Sequence, residues 1–138
     1  MLDKNGIQSN VTCLVEFRRA ANARRNGLLL IEATTINDLV AIAALIAKGA
    51  DVNVQDGFGR TSLHRAALNG SQDACGLIIG SGKCNPTIHD HFDKYASDLV
   101  NWRENYKLWR KLINFEVKQA KKMGVKLLVD ENIKLDFD

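Results

Sequence analysis

A self-match at an offset of 33 residues constrains this chain more than any other feature. Leu30 falls on Leu63, Ala33 on Ala66, Ile46 on Ile79 and Gly49 on Gly82. After one inserted residue the offset becomes 34: Asp56 falls on Asp90, Phe58 on Phe92, Arg60 on Lys94 and Leu68 on Trp102. Periods of this length mark stacked helical repeats. Each unit carries an apolar face too small to form a core, and stacking lets neighbours complete it. The 138 residues amount to one domain by length.

Within the middle unit, Thr61 is a suitable N-cap for a helix over 62–69. Ala66 and Ala67 keep that helix thin, and Gly70 ends it. Two turns of helix cannot stand alone in water, so the stack must bury them. A second helix is predicted over 72–80, with Leu77, Ile78 and Ile79 supplying volume and Gly82 beyond it. The preceding unit predicts helices over 30–35 and 38–48, with Asp38 at the dipole-favoured start of the second. The following unit predicts helices over 97–103 and 106–124.

Residues 56–70, DGFGRTSLHRAALNG, resemble the opening of an ankyrin repeat, whose pattern is D-x-x-G-x-T-P-L-H-x-A-A-x-x-G. Thr61, Leu63, His64, Ala66, Ala67 and Gly70 carry the match. Residues 45–56, LIAKGADVNVQD, resemble the family's second helix and hairpin. The resemblance covers about residues 28–116 as three units, the middle one strong. The first unit lacks the T-P-L-H opening. The third has Tyr95 where threonine is expected and Ser97 where leucine is, which suggests terminal, capping-like units. The implied fold is all-α: an ankyrin-type stack of helix-turn-helix repeats joined by β-hairpin loops. In that family the Thr and His positions tie the helix start by hydrogen bonds.

The ends differ in kind. Residues 10–26 suggest an extra N-terminal helix, with Val11, Leu14, Val15 and Ala21 on one face and Asn26-Gly27 to stop it. Arg18, Arg19, Arg24 and Arg25 fit the negative end of its dipole. Residues 125–138 alternate at Ile133, Leu135 and Phe137, a strand period that fits an extended tail or hairpin. The expected organisation is a capping helix segment over 1–27, a repeat domain with a long last helix over 28–124, and the tail over 125–138.

Catalytic patterns are absent. His89 and His91 share a loop with Asp90 and Asp93, but no third histidine or cysteine pair completes metal-ligand spacing. Cys13, Cys75 and Cys84 are odd in number and form no CxxC pair. They suggest reduced thiols in an intracellular compartment, cytoplasmic or nuclear. No secretory leader is visible, and the longest apolar run, 39–47, is too short to span a bilayer. No enzyme, cofactor or metal is expected, and no membrane partner.

A binding surface remains. The resemblance implies recognition through hairpin tips and exposed first-helix positions. Here those are Phe58, Arg60, Leu68 and Asn69 in the middle unit, and His91, Phe92, Lys94, Trp102 and Arg103 in the third. The expected function is a non-catalytic protein–protein interaction module, an adaptor. The alternative is a structural subunit of a large ribonucleoprotein-like complex, held by the tail and by the basic helices at 18–25 and 103–126. A net charge of +3 makes nucleic acid the less favoured partner. Asn53 also resembles a target of asparaginyl hydroxylation in such hairpins; the plainer expectation is that it bonds its own hairpin backbone.

Overall fold

Apolar side chains at helical spacing, punctuated by caps and glycines, fold here into paired helices. The computed structural model describes residues 4–127. Its elements are α1 (Lys4–Thr35), α2 (Leu39–Ala47), α3 (Ser62–Asn69), α4 (Gln72–Gly80), a 3-10 turn (Ala96–Leu99) and α5 (Tyr106–Met123). No strand occurs among the described residues; the inter-repeat loops are hairpin-like turns. The all-helical stack of the ankyrin type is therefore what the chain adopts.

Three helix starts share one local cause. The Asp38 side chain accepts from Ala41 N–H, Ser71 from Ala74 N–H and Asn105 from Leu108 N–H. Orphan amides at helix starts are satisfied this way. Gly70 and Gly124 close α3 and α5 in the left-handed conformation, at φ 64° and 67°.

The helices form two rows. The C-terminal part of α1, then α3, then the 3-10 turn pack side by side in one row, and α2 packs on α4 in the other. Leu30, Ile42, Leu63, Cys75, Ile78, Leu108 and Leu112 form one continuous core between the rows. Ala66 and Ala67, both buried, let α3 sit between its neighbours, as a thin helix should.

Three sequence readings look different in the structure. α1 does not stop at Asn26-Gly27; it runs unbroken from Lys4 to Thr35. Gly27 is helical and serves close approach instead, because a Cβ there would collide with the carbonyl oxygen of Asp51. Asp51 N–H in turn donates to Ala23 C=O at 2.9 Å. Second, the apolar face read on the N-terminal helix meets no core: Leu14, Val15 and Ala21 are exposed. Third, the helix expected over 97–103 shrinks to one 3-10 turn, after which Val100 is extended (ψ 133°). Ser97 supplies none of the apolar volume that Leu63 gives α3, and its polar atoms are spent on Glu116. The tail beyond residue 127 lies outside the described residues.

Candidate partner-binding face

The two inter-repeat tips are built to one plan. Asp56 Oδ1 accepts from the N–H groups of Phe58 (2.8 Å) and Arg60 (3.0 Å), and Asp56 N–H donates to Arg60 C=O (2.9 Å). Asp90 Oδ1 accepts from Phe92 and Lys94 N–H, both at 2.9 Å, and Asp90 N–H donates to Lys94 C=O (2.9 Å). A carboxylate bonding its own following backbone fixes a tight turn. Burial alone would raise both carboxyls. Arg65, with the Arg60 and Phe58 amides, outweighs that at Asp56; the Lys94 and Phe92 amides, with Arg60, do so at Asp90. Both lie below the usual carboxylate range.

The tips are tied to each other. His91 N–H donates to Phe58 C=O (3.0 Å), Gln55 Nε2 to His89 C=O (3.4 Å), and Arg60 Nε to Asp90 Oδ2 (3.4 Å). Gly59, at φ 76°, leaves room for the His91 ring and amide, which any Cβ would crowd. Deeper in, His64 Nδ1 accepts from Thr61 N–H (3.2 Å) and His64 Nε2–H donates to Lys94 C=O (2.9 Å). His64 is thus the neutral Nε2–H tautomer; burial lowers its pKa despite the Lys94 bond.

On this frame stands an exposed aromatic flanked by cations. Phe58 is 55% exposed, with the Arg60 guanidinium 5.6 Å and the Arg65 guanidinium 5.9 Å from its ring centre. Each arginine has its own carboxylate: Arg65 bonds Asp56, and Arg60 bonds Asp90. Phe92 is 63% exposed on the adjoining tip, beside exposed His91 and Lys94. Trp102, 52% exposed, carries Arg103 at 5.4 Å.

The structure therefore joins Phe58, Arg60, His91, Phe92 and Lys94 through two bonded tips. Leu68 is exposed on α3. Asn69 has a structural role, since its Nδ2 donates to the C=O groups of Thr34 (2.7 Å) and Thr35 (3.2 Å) and so satisfies the end of α1. Trp102 and Arg103 sit in a turn rather than on a helix face. Asn53 bridges hairpins: its Oδ1 accepts from Asn85 N–H (2.7 Å) and its Nδ2 donates to Lys83 C=O (2.9 Å).

Sequence reasoning missed two residues. Arg65 lies nine positions after Asp56, and only the fold of the tip onto α3 brings them together. Glu116 is buried, its two oxygens accepting from Ser97 N–H (3.0 Å) and Ser97 Oγ–H (2.7 Å). Serine in a leucine position was the visible sign that something polar lay opposite.

Burial pushes the Cys75 and Cys84 thiols up to about 12, far from the thiolate a nucleophile needs. Both His64 ring nitrogens are engaged. Among the described residues no group of three or more His, Cys, Asp or Glu could hold a metal ion, and no helix is long and apolar enough to cross a membrane.

Comparison with known proteins agrees with this architecture. Residues 37–77 match the family model for ankyrin repeats (many copies). The chain is similar to Protein fem-1 homolog C of Xenopus laevis, 34% identical over 91 residues that make up 66% of this chain and 14% of that protein. Against the Homo sapiens Protein fem-1 homolog C it is 36% identical over 101 residues, 69% of this chain and 15% of that one. It is 37% identical over 78 residues to a putative ankyrin repeat protein of Rickettsia bellii (strain RML369-C), covering 56% of this chain and 41% of that protein. The chain thus spans a small part of the fem-1 relatives and under half of the bacterial one.

Proposed function

Because this chain carries ankyrin repeats, we propose that it is a non-catalytic protein-interaction module, an adaptor whose hairpin tips grip a partner polypeptide. The repeat domain in this reading spans 28–124. One observation carries it: Phe58 is more than half exposed with the Arg60 and Arg65 guanidiniums 5.6 Å and 5.9 Å from its ring centre, each bonded to its own carboxylate. Aromatic and arginine side chains dominate binding energies at interfaces. Groups already held in place lose less freedom on binding. A partner offering apolar side chains flanked by carboxylates fits Phe58, Phe92, Arg60 and Lys94. Leu68, His91 and the Trp102–Arg103 pair extend the contact. The buried thiols of Cys75 and Cys84 fit a reducing, intracellular compartment.

Affinity capture with the wild-type chain and with F58A/F92A, read by mass spectrometry, tests this. Partners should be lost from the double variant while its helicity and melting stay unchanged. Undiminished capture by a folded F58A/F92A chain would falsify the assignment.

A second reading is favoured by α5. Lys107, Arg110, Lys111, Lys118, Lys121 and Lys122 are largely exposed on it, and its one acidic residue, Glu116, is buried. That face suits an anionic surface within a larger assembly. Phosphate-driven contact weakens steeply as salt rises, whereas contact anchored on Phe58 does so far less; a salt series on the captured complex separates the two.

A further inference from the structure

The two ends of the stack are finished differently. At the C-terminal end α5 turns its lysines outward. At the N-terminal end the α1–α2 pair turns out apolar surface. α2 reads LVAIAALIA, with no polar side chain. Only its Ile42 side is fully buried; Val40 is 82% exposed, and Ala43, Ala44 and Ala47 are exposed too. Across from it, Leu29 on α1 is exposed, and Ile36, in the turn that follows α1, is 75% exposed. Between the helices runs a groove of about 540 Å³ lined by Leu29, Ile36, Ala41, Ala44 and Leu45, with Glu32, Asp38 and Lys48 also on its walls. Terminal repeats of a solenoid need a polar outer face to stay soluble, so this end is built to be covered.

A preceding repeat of the usual connectivity does not fit as the cover. One period before the 50–60 hairpin lie residues 17–27, and they are continuous helix. The charges indicate what does fit. Asp38 caps the N-terminal end of α2 and Lys48 its C-terminal end, both exposed, with only apolar residues between them. Such a helix is complementary to itself in the antiparallel sense: two copies related by a two-fold axis near Ala43 set each Asp38 against the other copy's Lys48. Closed two-fold pairing through one self-complementary patch is the commonest form of oligomer. The alanines let the two helix axes approach closely, since interaxial distance follows side-chain size.

We propose that the α1–α2 face binds a second copy of this chain, with α2 antiparallel to its counterpart and the Asp38–Lys48 pairs at its two ends. The tips carrying Phe58 and Phe92 are separate residues on separate loops, so partner capture and self-association are independently testable.

Sedimentation equilibrium of the full chain across the micromolar range is the test, with A44E and K48E beside the wild type. The expected result is a wild-type dimer, a monomeric A44E chain of unchanged helicity, and at least a tenfold weaker K48E dimer, because the K48E carboxylate would oppose Asp38 of the other copy. If A44E loses helicity, V40K at the more exposed position carries the same reading. A wild-type chain that stays monomeric throughout overturns the proposal. So does a dimer that A44E and K48E leave intact.

Discussion

His64 and Lys94 are thirty residues apart, yet the His64 Nε2–H donates to the Lys94 carbonyl across 2.9 Å. The same ring accepts from Thr61 N–H through Nδ1. One side chain therefore starts α3 and holds the next hairpin against it, so that local capping and repeat stacking depend on a single buried group.

Replacing His64 by Ala should cost about 2–4 kcal/mol, since it opens a cavity and leaves the Thr61 and Lys94 groups short of partners. Urea unfolding measures it. His64→Asn retains one donor and one acceptor and should fall between. A loss below about 1 kcal/mol would mean that water replaces both bonds.

Gly27 and Gly76 should respond to alanine with opposite signs. Gly76 lies within α4 with nothing within 4 Å of an added Cβ, so Gly76→Ala should stabilise by up to about 1 kcal/mol through helix propensity. At Gly27 the same change meets the Asp51 carbonyl. The hairpin must shift, and overpacking of about 1–3 kcal/mol outweighs the propensity gain. Paired thermal melts decide it; a stabilised Gly27→Ala chain would show the hairpin does not dock on α1.

Burial pushes the Glu116 carboxyl from 4.5 up to about 7, with Ser97's bonds opposing and Asp98 adding to the rise. Between those values the folded chain holds a proton that the unfolded chain releases. Stability from this group is therefore full below about pH 4.5 and declines as pH rises through 7, by up to about 3 kcal/mol. His64, whose pKa is lowered, works in the opposite direction near the same range. The measurement is thus the difference between wild type and E116Q across pH 4–8. The Gln variant should gain relative to the wild type as pH rises; a flat difference refutes the account.

Thiol titration should divide the cysteines. Cys13 is exposed while Cys75 and Cys84 are buried with raised pKa values. A disulfide reagent at neutral pH should modify one thiol quickly and the other two only on unfolding. Rapid reaction of all three would mean that α4 and the second hairpin open readily.

What could be read without coordinates was what acts over short sequence distance. Thr61 and Gly70 bound α3, Asp38 starts α2 and Gly124 ends α5 as the pattern predicts, because caps act over three or four residues. The Asp56 and Asp90 tips were visible as repeats of one another, and Phe58 and Phe92 followed from them. Gly27 was misread because a glycine that admits a neighbour looks in sequence like one that ends a helix. Asn69 was read only as a binding residue, because nothing local reveals that its amide also closes α1.

The sequence by itself determined the repeat, the pairing of helices and the tips, since period and capping are written in near-neighbour side chains. Only the tertiary structure decided that α1 runs on past Gly27, that Arg65 flanks Phe58, that Ser97 replaces leucine to meet Glu116, and that the α1–α2 face is left apolar and open. Each of these depends on which surfaces meet or remain unmet across many residues of chain, and contacts of that kind come from packing, where separation along the chain carries no signal.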